Sequence, residues 1–133
     1  MKYGYRILVT LLFSGSTALA TADSYDGAAL YSDNCANCHG IYGEGDGIVA
    51  PDLALVLLDL RYLSVRNDGE FPAQFVRATI DGREVRAAHG PTGMPVWGAE
   101  FARSEGIDER ALSRVDAKID ALVNFLRSIQ LSD

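Results

Sequence analysis

Cys35 and Cys38 stand three positions apart and His39 follows directly, so the chain carries one C-x-x-C-H pentapeptide, Cys35-Ala36-Asn37-Cys38-His39. That spacing is the attachment signature of a covalent c-type haem. Two thiols three residues apart lie on one side of a helical turn, where both can add to the vinyl groups on one edge of a porphyrin. His39, next along the turn, then lies under the iron, and the group on the opposite face decides between electron transfer and ligand chemistry. Two other uses of the pentapeptide fail on context. A structural zinc site wants four ligands, and beyond Cys35, Cys38 and His39 the chain offers only His89, with no second C-x-x-C. A redox dithiol of the thioredoxin kind would sit in a βαβ pattern, and no run here alternates apolar and polar residues. Both cysteines of the chain lie inside the motif, so no disulfide framework competes for them.

The sixth position of such an iron has two candidates between Gly82 and Gly106. Met94 lies in Gly93-Met94-Pro95-Val96-Trp97-Gly98, a glycine-rich segment with no periodic apolar pattern to absorb a packing methionine, and a thioether is a suitable haem ligand. His89, in Ala88-His89-Gly90-Pro91, is the competitor. A solvated histidine is its ordinary reading, and bis-histidine ligation, which lowers the potential, is the alternative. Met94 is the expected ligand.

The N-terminus places this chemistry. Lys2 and Arg6 precede a short apolar core from Ile7 to Phe13, and Ala18-Leu19-Ala20 is a small-x-small site. This is the layout of a secretory signal peptide over residues 1–20, cut after Ala20 or Ala22, with an uncleaved anchor as the alternative. A single domain over residues 23–133 remains, a normal size for one core. Thioether attachment is expected outside the cytoplasmic membrane, so the two readings agree on a periplasmic protein. Loss of Lys2 and Arg6 leaves ten of the twelve basic residues against eighteen acidic ones, a net charge of −8. Such a balance excludes nucleic acid as a partner and a basic membrane-surface helix, both of which need clustered Lys and Arg.

The elements that must position these residues read as helices punctuated by glycine and proline. A first short helix, capped by Asp23 or Ser24, carries Ala28, Ala29, Tyr31 and Ser32 up to the cysteine motif. From Ile41 to Leu53, Gly43, Gly45 and Gly47 alternate ahead of Pro51, which predicts a loop held close to something flat. It is no phosphate loop, lacking a preceding strand and a Lys-Ser/Thr pair. Asp59 caps a short segment, Leu60 to Val65, that ends at Asn67-Asp68-Gly69. A second helix follows with Pro72 in its first turn, Phe71 and Phe75 as a hydrophobic staple, Val76 and Ile80 on the same face and Gly82 as its stop. The aromatics are expected in the core. Leu112, Val115, Ile119, Leu122, Leu126 and Ile129 form one apolar stripe, the mark of a final helix packed on a core, beginning near Asp108 or after Ser113.

These residues together resemble the class I c-type cytochromes, in particular the small single-haem cytochromes exported by Gram-negative bacteria. The likeness covers Tyr25 to Gln130: Gly27 to Tyr31 leading into Cys35 to Gly40, the Gly43 to Leu53 loop, Phe71 to Arg83, Met94 to Gly98, and Leu122 to Leu126. The resemblance implies an all-α domain wrapped around one covalent haem c, with the first and last helices crossing near Gly27 and Phe125. It implies axial ligation by His39 and Met94, a hydrogen bond from the free ring nitrogen of His39 to the carbonyl of Pro51, and Trp97 beside a haem propionate. Arg83, Arg86 and Arg66 are candidates to neutralise propionates, in the stretch Arg83 to Thr92 that fits the family pattern least. The expected function is a monomeric periplasmic carrier that shuttles one electron between redox proteins, with a basic surface on the partner and no catalytic residues of its own. The alternatives are an electron-entry subunit of a dehydrogenase or oxidase, and a haem sensor or peroxidase-like enzyme with a labile sixth ligand.

Overall fold

The computed structural model describes residues 24–53, 56–83 and 94–132. The signal peptide with its cleavage sites, and His89, Arg86 and Gly93, lie outside the described residues.

Helix α1 (Gly27–Asn34) is capped by the Asp26 carboxylate, which accepts from the N–H groups of Ala28 and Ala29 at 2.9 and 3.2 Å. The cap is therefore Asp26, not Asp23 or Ser24, because only the residue directly ahead of the first turn reaches its free donors. Cys35 ends α1 and opens α2 (Ala36–His39). Short 3₁₀ turns follow at Ala50–Asp52, Leu60–Tyr62 and Val65–Asn67. Asp59 caps the second, its carboxylate accepting from Arg61 N–H at 2.9 Å, and Asp68 and Gly69 turn the chain through left-handed conformations.

Helix α3 (Ala73–Asp81) starts after Pro72 and stops at Gly82, whose φ of +62° is the left-handed cap that the glycine predicted. Phe71 packs against the core, but Phe75 is 58% exposed, so the second aromatic of the expected staple is not a core residue. A helix that the sequence reading did not anticipate, α4 (Trp97–Glu105), follows Met94. The last helix, α5 (Glu109–Ser128), begins at Asp108, whose carboxylate accepts from Ala111 N–H at 2.8 Å.

Helix α5 is the centre of the fold, packing against α1, α3 and α4. Val115, Ile119, Leu122 and Leu126 of the predicted stripe are buried there with Tyr31, Val76, Ile80, Phe101 and Val123. Each such side chain contributes about 1.5–3 kcal/mol on burial. Leu112, at the end of the stripe, is 39% exposed. The crossing of α1 and α5 is close: a Cβ on Gly27 would overlap the carbonyl of Ala121 and touch Phe125, and the rings of Tyr31 and Phe125 stack at 4.9 Å. Beyond α5, Gln130 donates to the carbonyls of Leu60 and Leu126 and accepts from Ser64 N–H, tying the chain end to the 60–64 turn. The domain is all-α, with no strand among the described residues.

Candidate haem site

The pentapeptide is one tight turn. The N–H groups of Cys38 and His39 both donate to the carbonyl of Cys35, at 3.1 and 2.9 Å, which puts Cys35, Cys38 and His39 on a single short helical element. Cys35 packs against the core, and burial, reinforced by the neighbouring Cys38, pushes its thiol up to about 12. A redox dithiol needs a thiol moved the other way, toward the thiolate. Among the described residues no group of three or more His, Cys, Asp and Glu side chains converges as a metal-ion site, so no zinc donor set is assembled there.

The C-terminal end of this turn is finished by the glycine loop. Gly45 N–H donates to the carbonyl of His39 at 2.8 Å, Gly47 N–H to that of Cys38 at 3.2 Å, and Val49 N–H to that of Asn37 at 3.0 Å. Helix-end carbonyls have no partners within their own helix, and here the loop backbone supplies them. Of the three glycines, Gly47 lies against the backbone of α2, whereas Gly45 lies against the carbonyls of Leu57 and Leu58. A Cβ on Gly47 would fall onto the carbonyls of Asn37 and Cys38, so only glycine allows the approach. Below the turn the Tyr31 hydroxyl donates to the carbonyl of Gly40 at 2.8 Å in a buried position. Tyr31 was read only as a helix residue. Its place four residues before Cys35 is the signal that sets it under the motif.

His39 is the group left unfinished. Its Nδ1 is buried and makes no hydrogen bond, and burial lowers the imidazole pKa, favouring the neutral ring that ligates metals. The expected bond to the carbonyl of Pro51 is not made. Pro51 lies in the 3₁₀ turn Ala50–Asp52, which packs against α2. Apolar side chains gather on the same stretch of chain: Ile41, Tyr42, Ile48, Val49, Val56 and Leu58 are six of the ten large hydrophobic residues exposed among the described ones. A haem fits these residues on three counts: two thiols and an imidazole on one turn, a buried ring nitrogen without a partner, and exposed apolar side chains in the stretch that follows the motif.

On the far side of the motif in sequence, Met94 is half-buried and packs against the same core as Cys35 and Ala36. Trp97 opens α4, its ring stacked on Phe101 at 5.6 Å. Two of the arginines expected at propionates are engaged elsewhere. Arg83 pairs with Asp81 and Asp116, and Arg66 donates to the carbonyl of Asp59 at 2.6 Å. Arg61, not singled out from the sequence, joins Asp59 and Glu44 beside the glycine loop.

An all-α domain that presents C-x-x-C-H on a turn backed by a glycine loop, with its first and last helices in close crossing, is that of a c-type cytochrome, a haem protein of electron transfer. The family model described as cytochrome c oxidase, cbb3-type, subunit III matches residues 22–111, and the chain belongs to that family. No curated protein and no solved structure matches the chain. No helix among the described residues is long and apolar enough to cross a membrane.

Proposed function

We propose that this chain is a periplasmic single-haem electron carrier whose iron is held by His39 on one face and Met94 on the other, passing one electron between redox proteins. The observation that carries the reading is the Cys35–His39 turn with its buried, unpartnered His39 Nδ1, in a member of a c-type cytochrome family. Cys35 and Cys38 would hold the group as thioethers, and a haem so held supplies reversible one-electron exchange. The chain's own part is to fix ligands and surroundings: α2 and its glycine loop set the direction of His39, and Met94 is carried by the segment that leads into α4. Trp97 would lie beside a propionate, and with haem bound the His39 Nδ1 proton, which has no partner here, would go to the carbonyl of Pro51 in the turn packed on α2, a bond that orients an axial ligand. With both axial positions filled no substrate site is needed, which supports a carrier rather than a peroxidase-like enzyme or sensor.

Two experiments test this. Haem should stay on the polypeptide through denaturing electrophoresis and acid-acetone extraction, and clean extraction would defeat the covalent reading. Met94→Ala should abolish the weak near-red sulfur-to-iron absorption of the ferric protein, lower the reduction potential and admit carbon monoxide, whereas His89→Ala should leave the band in place. The reverse pattern would assign the sixth position to His89. Rapid carbon monoxide binding by the unaltered protein would favour the sensor or enzyme.

The family description favours a second reading, that of a subunit within an oxidase. Purification from native membranes separates the two: a subunit stays with a larger complex through gel filtration, and a carrier leaves as a monomer. The acidic surface supports a basic docking face on either partner.

A further inference from the structure

Gly82 and Arg83 at the end of α3 meet Val96 to Gly98, the residues that follow Met94, and these two stretches form a neck. Gly82, in its left-handed conformation, lies against Val96, with an added Cβ 3.3 Å from the Val96 methyl. Two residues further on, Gly98 in the first turn of α4 is buried against the Asp81–Arg83 pair, so closely that a Cβ there would fall inside the Asp81 carboxylate. The Asp81 carboxylate thus sits at the N-terminus of α4, where Val96 supplies no side-chain cap and where negative charge is favoured by the helix dipole. Arg83 holds that carboxylate in a two-point pair, Nε to Oδ1 and Nη2 to Oδ2, the latter at 3.1 Å. Its Nη2 also reaches Asp116 Oδ1 of α5 at 3.5 Å. The end of α3, the start of α4 and the middle of α5 are therefore joined at one point, beside Val96, which follows Met94 by two residues.

We propose that Asp81, Arg83 and Asp116 form an ionic clamp on the neck of the Met94 segment, with Arg83 as a positioning residue that keeps the methionine engaged as sixth ligand. This rests on the assignment of Met94 as a ligand. The clamp takes Arg83 away from the propionate role and gives it a second one, setting how readily an exogenous ligand can displace the thioether. The side chains of Arg83 and Asp116 are 34% and 51% exposed, so the clamp is weak and screened by salt. Its strength is that of one or two half-exposed pairs, a two- to fivefold change in the fraction of open neck.

The test uses the haem-loaded protein. Arg83→Gln should bind carbon monoxide about two to five times faster in the ferrous form. It should lose the near-red band at a lower urea concentration while the far-ultraviolet helix signal melts close to its former midpoint, and amide exchange at Val96 to Ala99 should quicken. Arg83→Lys should recover part of each effect. Arg114→Gln serves as the control: Arg114 joins α5 to Glu105 at the end of α4 and shares no partner with Arg83, and its loss should leave band and carbon monoxide rate unchanged. One molar salt should speed carbon monoxide binding in the unaltered protein and not in Arg83→Gln. Unchanged rates and exchange in Arg83→Gln, with the band abolished by Met94→Ala, would overturn the clamp and leave Met94 as ligand. A band that survives Met94→Ala would overturn the ligation on which the clamp rests. Equal effects from Arg114→Gln and Arg83→Gln would overturn it too, by showing general loosening of α4 on α5.

Discussion

Gly47→Ala isolates the contact that holds the haem-binding turn in place. The φ of Gly47 lies outside the left-handed region, so alanine meets no backbone penalty of its own there. What it meets is α2: the new methyl would coincide with the carbonyl oxygens of Asn37 and Cys38, and the loop must move away. That movement loosens the Gly47 to Cys38 and Val49 to Asn37 hydrogen bonds, each worth about 0.5–1.5 kcal/mol, and overpacking adds about 1–3 kcal/mol. The sum is about 2–6 kcal/mol, and at roughly 4 °C per kcal/mol for a domain of this size thermal unfolding should fall by about 8–24 °C. Gly69→Ala supplies the contrast. Gly69 has φ +86° and no atom within 4 Å of an added Cβ, so the change costs only the strain of a left-handed alanine, about 1–2 kcal/mol. Melting curves of the two haem-loaded variants, followed by circular dichroism, decide the matter. A Gly47→Ala protein as stable as Gly69→Ala would show that the loop does not rest on α2.

Tyr31→Phe keeps the ring against Phe125 but leaves the buried Gly40 carbonyl without its donor, a cost of about 1–3 kcal/mol in urea unfolding. Burial, with the negative charge of Asp46 and Asp59 behind it, raises the phenol above its ordinary value of 10. A raised group contributes stability below its unfolded pKa and loses it as pH rises through the folded value. The difference between Tyr and Phe proteins should therefore be full at pH 8 and shrink only above about pH 10. Glu105 has the opposite sign: hydrogen bonds from Lys118 and Arg114 lower its pKa, so its contribution is present above the ordinary carboxylate value of about 4.3 and is lost as pH falls below it. Glu105→Gln should accordingly show a shallower loss of stability in acid than the unaltered protein, and an equal slope would refute the pairing. Gly27→Val should part α1 from α5, because its side chain would occupy the place of the Ala121 carbonyl, and should lower the melting temperature by at least as much as Gly47→Ala.

The residues that chemistry demands were the easiest to read. Cys35, Cys38 and His39 are a local pattern, and a local pattern needs no fold to be recognised. The α5 stripe and the Gly82 stop were legible for the same reason, since a 3.6-residue period and a left-handed cap are written into neighbouring positions. Helix α4 was not, although Trp97 and Phe101 are spaced i, i+4 and Gly106 ends it, because Gly98 in its first turn lowers helix propensity and its reason lies in Asp81, a residue far off in sequence. The glycine loop was recognised as a close approach, but what it approaches depends on where α2 ends. Arg83 shows the same limit from the side of charge. The resemblance made it one of three candidates for a propionate, with nothing in the sequence to select among them, and the tertiary structure pairs it with two carboxylates.

The two sides of the proposed iron site are held by interactions of different kind. On the His39 side, three loop N–H groups and a buried phenol act on one four-residue helix and its C-terminal cap, and none of these depends on salt. On the Met94 side the fastening is a pair of glycine contacts and an ionic network open to solvent. A thioether is also the weaker of the two axial ligands, so any displacement of a ligand should begin there and leave His39 in place. An electron carrier tolerates that asymmetry, because one-electron exchange needs both ligands engaged but neither to move. The same asymmetry sets the direction in which this scaffold could be turned toward ligand binding. Loosening Arg83 opens the methionine side by a few-fold, whereas loosening Gly47 costs the stability of the haem-binding turn itself. Variants selected for carbon monoxide or peroxide reactivity should therefore cluster around residues 81–83 and 94–98 rather than in the 40–50 loop, and a cluster in the loop would show that the His39 side is the softer one.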